Sequence, residues 1–530
     1  MGAFAAAPVT PIVRASQVGR TADVLLRNGR VCTGVAGALE PGGLALRGAR
    51  IVEVGDLTGW TASREIDVAG QVIAPGFIDV HSHAAEGLAR KGLHTARALL
   101  AQGITTVVVN PDGGGPVDLV AQQDAFLSLG LGVHVAQLIG HGVVRGAVLQ
   151  MENRAPSASD LDRMGQHVDA GLAAGAVGLS SGLFYAPGHF AQTGELVALM
   201  TRVAAVGGLH TSHIRDESNY SVGLVAAVDE IITIAEATGS TGIVSHMKAL
   251  GPDVWGLSRT CIRHIDAARA RGVSVWADQY PYEASSTSLA AAVLPRTAQA
   301  GGREALLGRL GDAAHRASLL PDVRENIRRR GGAASLVVAF YPPERAFEGL
   351  SLEAIAARLG SPAEVAALDV IATRDASIVS FNMAMDDIDT LMTQPWMMTS
   401  SDGAIFFPGE GRPHPRGNGA FTRKLTAFVR DRQVMPLPVA LQSMTRLPAN
   451  VFGLAERGRL QSGARADVVV FDLQRLEDRA TYLEPHELAG GMSYVFVDGV
   501  AAIDAGQFTD ALAGTVLRRG REARSRGGAR

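Results

Sequence analysis

Six residues whose side chains can bind a metal ion or move a proton lie at the ends of short apolar segments. These segments read GFIDVHSH, VVVNPDGGG, GLHTSHI, GIVSHMK and WMMTSSDG, and the residues are His81, His83, Asp112, His213, His246 and Asp402. Residues i and i+2 of a strand point to the same side, so His81 and His83 can hold one ion. An H-x-H pair alone is weak evidence, because such histidines often only form hydrogen bonds in a surface or a core.

Metal-assisted hydrolysis is the chemistry that this set supports. Imidazole and carboxylate ligands suit zinc and related divalent ions, and an open coordination position lowers the pKa of bound water toward neutrality. A carboxylate beside that water can take its proton and later deliver it to a leaving amine, and we predict this role for Asp402. Taken singly, His213 could instead cap the polar stretch that follows it, and Asp402 could cap a turn or helix. The coincidence of so many strand ends favours the metal site.

The segments that carry these residues predict the fold. Between about residues 75 and 451, eight apolar segments alternate with helical stretches, which is the outline of a (β/α)₈ TIM-like barrel. The segments are GFIDVHSH, ITTVVVN, VHVAQLIGH, AVGLSSG, GLHTSHI, GIVSHMK, VSVWADQY and WMMTSSDG. Barrel enzymes build their active sites at the C-terminal ends of the strands, where the six candidate residues fall. A long arginine-rich interval at about 295–378 predicts an insertion over the barrel mouth.

The regions outside the predicted barrel have a different sequence pattern. Residues 22–74 and 452–515 contain short strands and turns, and we expect them to pair into one small β-sandwich domain. The predicted fold class is therefore α/β, a barrel with a β domain formed from the N- and C-terminal segments. Residues 1–21 are interpreted as a flexible leader, and the Arg- and Gly-rich residues 516–530 as a disordered tail.

Composition excludes several classes of protein. The 530 residues are 47% hydrophobic and 19% charged with a net charge of −3, which is typical of a globular protein and offers no basic field for nucleic acid. Two cysteines, Cys32 and Cys261, cannot make a disulfide framework, so a reducing compartment is expected. No apolar run approaches the length of a membrane span. We therefore expect a cytoplasmic protein without membrane or nucleic-acid partners, and leave homo-oligomer formation open.

Several longer stretches extend this interpretation. They are PGFIDVHSH, GLSSGLFYAPG, HTSHIRDES, VSHMKALGPDVWG, DQYPYEASST, SSDG followed by HPRGNGAF, and MTRLPANVFGLAERGRLQSGARADVVVFD. With these stretches the chain resembles the amidohydrolase superfamily and, within it, the N-acyl-D-amino-acid deacylases, also called D-aminoacylases. The H-x-H pair indicates only the superfamily, whereas the GLSSGLFY, HIRDE and YPY stretches indicate the deacylase branch. The resemblance implies one or two divalent metal ions, zinc first among them, and a small-molecule N-acyl amino acid as substrate.

The resemblance also implies roles for individual residues. His213 and His246 would bind the tighter metal site, while His81, His83 and Asp402 would line a second one. The family has a cysteine where this chain has Asp112, and a carboxylate can replace that ligand, whereas by turn chemistry alone Asp112 is a turn residue. Five further residues would bind the substrate, although each could also merely pack or be solvated: Lys248, Tyr185, Tyr280, Ser286 and Arg416.

Three functions remain as hypotheses. The leading one is hydrolysis of N-acyl-D-amino acids to a carboxylate and a free D-amino acid. A second keeps the fold and the metal but changes the bond to that of a cyclic amide, a dipeptide or another N-acyl compound. A third is a non-catalytic barrel that binds a ligand, and the retained Asp402 and the four histidines argue against it. The sequence specifies neither the acyl group nor the amino-acid side chain.

Overall fold

The computed structural model of the chain describes residues 20–34 and 37–519, and the backbone of residues 521–524. Residues 1–19 of the predicted leader lie outside the described residues. Arg20 and Thr21, which the sequence assigned to the leader, already belong to the first strand, where they pair with Trp60 and Thr61.

Strands from both ends of the chain form one nine-stranded sheet, which confirms the predicted domain of combined termini. Its members are β1 (Arg20–Val31), β2 (Glu40–Arg47), β3 (Arg50–Gly55), β4 (Trp60–Asp67), β5 (Val72–Pro75), β17 (Val468–Phe471), β18 (Met492–Val497), β19 (Val500–Asp504) and β20 (Gln507–Phe508). The two halves meet where β17 runs antiparallel to β5, with Val469 opposite Ala74. Because β5 leads directly into the barrel, this sheet is anchored against the barrel's first strand.

Eight parallel strands form the predicted barrel. They are β6 (Phe77–Ser82), β7 (Ile104–Val109), β8 (His134–Gly140), β9 (Gly178–Gly182), β10 (Leu209–His213), β11 (Thr241–Val244), β12 (Val275–Gln279) and β16 (Met397–Thr399). Strands such as β7, sequence ITTVVV, are buried along their whole length, as expected where helices cover the outer face. The ring closes just beyond β16, where the Asp402 amide donates to the His81 carbonyl at 2.9 Å. Site residues therefore close the barrel.

Helices follow the barrel strands and cover their outer faces, except for those between residues 289 and 373, which belong to an insertion. The α-helices are α1 (Ala85–Leu88), α2 (Arg97–Leu100), α3 (Leu119–Leu129), α4 (His141–Leu149), α5 (Ala158–Ala173), α6 (Thr193–Ala205), α7 (Leu224–Thr238), α8 (Ser258–Ala270), α9 (Leu289–Val293), α10 (Gly302–Gly311), α11 (Ala313–Arg329), α12 (Leu352–Leu359), α13 (Ala363–Thr373), α14 (Met385–Met392), α15 (Arg416–Arg423), α16 (Leu437–Met444) and α17 (Arg446–Val451). A π-helix spans Lys424–Asp431, and short 3₁₀ turns lie at Gly188–Phe190, Pro252–Val254, Arg296–Gln299, Ala333–Ser335, Pro342–Phe347 and Leu473–Arg475. Among the described residues, none of these helices has the length and apolar character needed to span a membrane.

An inserted unit stands over the barrel mouth between β12 and β16. Three antiparallel strands in the order β13-β15-β14 form its sheet: β13 (Ala284–Ser288), β14 (Leu336–Phe340) and β15 (Ser377–Phe381). Helices α9 to α13 pack around a hydrophobic cluster of their own. The unit begins about ten residues before the predicted 295, because β13, sequence ASSTS, is polar and gives no strand signal.

The C-terminal segment corrects one prediction. Val516–Arg518 forms strand β21, which pairs parallel to the first half of β8, and Arg521–Arg524 forms β22 against it. The predicted disorder from residue 516 is therefore wrong for these strands, because Val516 and Leu517 are apolar and become buried at the barrel edge. Residues 525–530 lie outside the described residues.

Candidate metal centre

The barrel mouth brings all six predicted residues together around the Asp112 carboxylate. Asp112 Oδ1 lies 3.3 Å from His81 Nε2 and 3.4 Å from His246 Nε2, and Oδ2 lies 3.4 Å from His83 Nε2. The remaining two residues join the same cluster, with Asp402 Oδ1 3.1 Å from His83 Nε2 and His213 Nδ1 2.9 Å from His246 Nε2. The six side chains thus form one contiguous group at the strand ends.

A buried carboxylate below the cluster links the first and last barrel strands. Asp79, on β6, accepts hydrogen bonds from the Ser401 amide at 2.9 Å and the Ser401 hydroxyl at 2.5 Å. The His81 amide donates to the same side chain at 3.3 Å. Burial raises the pKa of Asp79 to about 6 even though these bonds oppose the shift. Asp79 fixes the segments that carry His81 and Asp402; the sequence analysis passed over it although it lies two residues before His81.

Three of the site residues have a left-handed backbone. The φ angles are 56° at Asp112, 33° at His246 and 49° at Asp402. Such a conformation costs on the order of 1–3 kcal/mol per residue and persists only where the surrounding fold imposes it, typically at functional sites. The chain therefore turns sharply directly after β7, β11 and β16 and directs each side chain into the mouth.

The chemistry of the donor set fits a metal ion. His81 Nε2, Asp112 Oδ1 and His213 Nε2 are buried without a hydrogen-bond partner, which costs about 1–3 kcal/mol for each such atom unless a ligand satisfies it. At the barrel mouth, two groups of described residues place their ligand atoms within 4.8 Å of one another: His81, Asp112, His246 and Asp402, and separately His213, Glu217 and His246. Nitrogen and oxygen donors in such numbers match zinc and its neighbours among the divalent ions.

The charges of the cluster shift the pKa values of its aspartates and of His83. Although burial opposes ionisation, His81 and His246 hold the pKa of Asp112 well below its usual range, and Arg416 and His246 do the same for Asp402. Burial alone would lower the pKa of His83, but hydrogen bonds to Asp112 and Asp402 raise it to about 9. A histidine must be neutral to bind a metal, so an ion bound by His83 would displace the proton that the two carboxylates otherwise hold on this imidazole.

The five predicted substrate residues line one cavity with this cluster. The cavity measures about 700 Å³, within the range of small-molecule sites, and its lining includes Lys248, Tyr185, Tyr280, Ser286 and Arg416. Lys248 Nζ lies 2.8 Å from His246 Nδ1, and the guanidinium of Arg416 lies 4.8 Å from the centre of the Tyr280 ring. Ser286 donates to the Ile378 carbonyl at 2.9 Å, and the Tyr185 hydroxyl lies 3.2 Å from that of Thr287.

Glu217 is a functional candidate that the sequence analysis missed. Its carboxylate is buried, and its oxygens lie 2.5 Å from Lys248 Nζ, 3.2 Å from His246 Nδ1 and 3.6 Å from His213 Nε2. Burial alone would raise the pKa of Glu217, but Lys248 and His213 together hold it well below its ordinary value. The sequence places Glu217 four residues after His213 in HIRDE, but this stretch has the composition of a polar loop and was not taken as part of the site.

The fold and the cluster together define a barrel metallohydrolase. A model of the amidohydrolase family matches residues 64–503, and the chain belongs to that family. It is 36% identical over 503 residues to N-acyl-D-glutamate deacylase of Alcaligenes xylosoxydans xylosoxydans, covering 90% of this chain and 93% of the relative. It is 32% identical over 521 residues to D-aminoacylase of the same organism, covering 94% and 98%.

A solved structure of a relative has the same fold. The crystal structure of N-acyl-D-glutamate deacylase from Bordetella bronchiseptica, complexed with zinc and a phosphonate inhibitor that mimics the tetrahedral intermediate, superposes with a TM-score of 0.79. The two chains are 34% identical, and the match covers 94% of this chain and 100% of that one. The predicted superfamily, deacylase branch and barrel fold are confirmed.

Proposed function

We propose that this chain is a metal-dependent deacylase that hydrolyses the amide bond of N-acyl-D-amino acids, releasing a carboxylate and a free D-amino acid. One observation carries the proposal: a single cavity joins the histidine and aspartate cluster to the buried cations Lys248 and Arg416. The cluster suits amide hydrolysis, and buried cations beside it suit a substrate with a carboxylate. The deacylase relatives support the same substrate class.

The six clustered residues are proposed as ligands of one or two divalent ions, zinc first: His81, His83, Asp112, His213, His246 and Asp402. When bound, such an ion polarises the amide carbonyl and lowers the pKa of water beside it. Asp402 remains ionised, so it can accept a proton from the attacking water and deliver that proton to the leaving amine. The Arg416 contact at 2.6 Å on Asp402 Oδ2 fixes this carboxylate and leaves Oδ1 facing His83.

The α-carboxylate of the substrate has two buried cations to bind. Arg416 Nη1 lies close to Asp402 without the alignment of a hydrogen bond, so the guanidinium keeps donors for a ligand. Lys248 is held at one side by Glu217 and His246 and faces the same cavity. A clamp of this kind binds a free carboxylate and discriminates against its ester. Tyr280, against the Arg416 guanidinium, forms the apolar floor between the two cations.

The test is amine release from matched N-acetyl-D- and N-acetyl-L-amino acids and their methyl esters, with elemental analysis of the same protein sample. We expect bound zinc, turnover of the D-acid at least tenfold faster than that of the L-acid or the D-ester, and loss of turnover in Asp402→Asn. Equal rates for acid and ester would refute the carboxylate clamp. Turnover of a cyclic amide or a dipeptide in place of these compounds would move the proposal to another amide, and protein without metal or turnover would overturn it.

A further inference from the structure

A second cavity borders the metal cluster outside the region of Lys248. It measures about 520 Å³ and shares His83, Asp402, Arg416 and Ser286 with the first cavity. Its apolar walls come from the end of β14 in the insertion and from the loop after β16: Ala339, Phe340, Ala404, Phe406 and Pro413. Two cavities therefore meet at the residues proposed to act on the amide, one with a buried lysine and one with apolar walls.

The walls of this second cavity are held together by the backbone. The Arg412 amide donates to the Ala339 carbonyl at 2.6 Å, which ties the loop after β16 to the last residues of β14. Gly411 has a φ of 69°, and a Cβ there would lie 2.8 Å from the Ala339 carbonyl oxygen, so only glycine allows this close approach. This second cavity, called the groove below, is therefore already formed in the fold without a ligand.

The groove is suited to an uncharged apolar group. Phe340 and Phe406 line it and are 40% and 42% exposed, so a ligand can cover their rings. Its outer cation, Arg90, is neutralised by Glu410 at 2.6 Å and lies 4.7 Å from the Phe407 ring.

Substrate geometry identifies the occupant. The amide carbon bears an oxygen, the nitrogen of the amino acid and the first carbon of the acyl group. With the amino-acid part held at Lys248, the acyl group must leave the cluster in another direction. The side chain of His83 is 38% exposed whereas that of His81 is 1% exposed, so the cluster opens at His83, where the first cavity and the groove meet.

We infer that the groove between Phe340 and Phe406 binds the acyl group of the substrate and makes the enzyme prefer uncharged apolar acyl chains of medium length over acetyl. The inference rests on the proposed function. Each methylene group that leaves water contributes to binding, so specificity rises with acyl length until the groove is filled.

Acyl length at a fixed amino acid is the test. The kcat/KM of the metal-loaded protein is measured for N-acetyl-, N-hexanoyl- and N-succinyl-D-amino acids of one side chain, in the wild type and in Phe340→Ala/Phe406→Ala. We expect at least a tenfold advantage of hexanoyl over acetyl, succinyl slower than acetyl, and a threefold or larger drop of the hexanoyl advantage in the double variant. A thermal unfolding midpoint close to that of the wild type shows that the double variant is folded.

A matched control and a second series separate the outcomes. Phe381 is 40% exposed on the same insertion but is not among the described residues lining either cavity, so Phe381→Ala should leave the hexanoyl advantage unchanged. No advantage of hexanoyl in the wild type, or an unchanged advantage in the double variant, overturns the inference while acetyl turnover upholds the proposed function. The second series consists of N-acetyl-D-amino acids that differ in side chain; if the double variant alters selectivity within this series instead, the groove binds the side chain and the inference is wrong. Failure to hydrolyse any of these compounds overturns both.

Discussion

Replacing Asp112 by asparagine tests the position at which the family resemblance implies a cysteine ligand. As a turn residue, Asp112 could be exchanged for asparagine without loss, because both residues tolerate a left-handed backbone and form the same local hydrogen bonds. As a metal ligand it could not, because the amide has no charge. Asp112→Asn therefore separates the two roles in a way that an alanine variant, which would also strain the backbone, does not.

The size of the expected loss follows from the contacts of Asp112. Its oxygens lie 3.3 to 3.4 Å from nitrogens of three histidines, so an ion among these atoms interacts directly with the carboxylate. A unit charge pair at about 4 Å is worth roughly 4 kcal/mol at an effective dielectric of 20, and desolvation offsets part of the larger value for a divalent ion. Residues that only orient a ligand change metal affinity by about 10- to 100-fold, so a ligand should exceed that. We expect zinc affinity to fall by at least about 100-fold.

The assay is zinc titration against a competing chelator, with kcat/KM measured at saturating zinc. Asp112→Cys, which supplies the thiolate that the resemblance implies at this position, should keep the zinc affinity within about tenfold of wild type. The matched control is Asp118→Asn, since this N-cap of α3 accepts hydrogen bonds from Val120 and Ala121 amides and asparagine caps equally well. Wild-type zinc affinity in Asp112→Asn would refute the ligand role and leave Asp112 as a turn residue.

Three further predictions concern buried charges. Lys248→Met should lower kcat/KM for the free acid by about 10- to 100-fold, the value of a charged hydrogen bond, and leave the ester nearly unchanged; an equal loss for both compounds would contradict the clamp. Glu217→Gln should weaken zinc binding by about 10- to 100-fold in the same titration, because Glu217 orients His246. Unchanged zinc affinity would mean that Glu217 serves only to position Lys248. Burial lowers the pKa of Lys424 from 10.5 to about 7, so the unfolded chain binds more protons than the folded one between these values and stability rises with pH across that window. Lys424→Met should therefore raise the thermal midpoint more at pH 6 than at pH 9, and a pH-independent difference would contradict a buried neutral lysine.

The barrel could be predicted from sequence because its strands are continuous apolar runs. Segments such as ITTVVV and VHVAQLIG are buried on both faces, so burial and sequence carry the same signal. The polar strand β13 and the short β21 could not be predicted in this way, because their stability comes from pairing with β15 and β8. Long-range pairing of this kind leaves no local pattern in the sequence.

Some residues of the candidate site could be predicted from the sequence and others could not. The strand-end histidines and Asp402 could be predicted because the barrel places all strand ends at one mouth. Asp79 and Glu217 could not, because their importance lies in contacts with Ser401 and Lys248, which are distant in sequence. The proposed acyl groove could not be predicted from the sequence either. It forms where the loop after β16 meets a strand of the insertion, and no motif indicates the position of that strand.

A carboxylate at position 112 offers two donor atoms, whereas a cysteine offers one. One oxygen faces His81 and His246, and the other faces His83, so the two oxygens contact different histidines of the cluster. A single thiolate sulfur would have to serve both directions from one atom. Asp402 Oδ1 also lies near His83 and His81, so both aspartates contact this pair of histidines, and His213 with Glu217 continues the cluster beyond His246. If these residues hold a metal ion, the two aspartates would supply its oxygen donors and would shift its preference toward ions that accept carboxylate ligands.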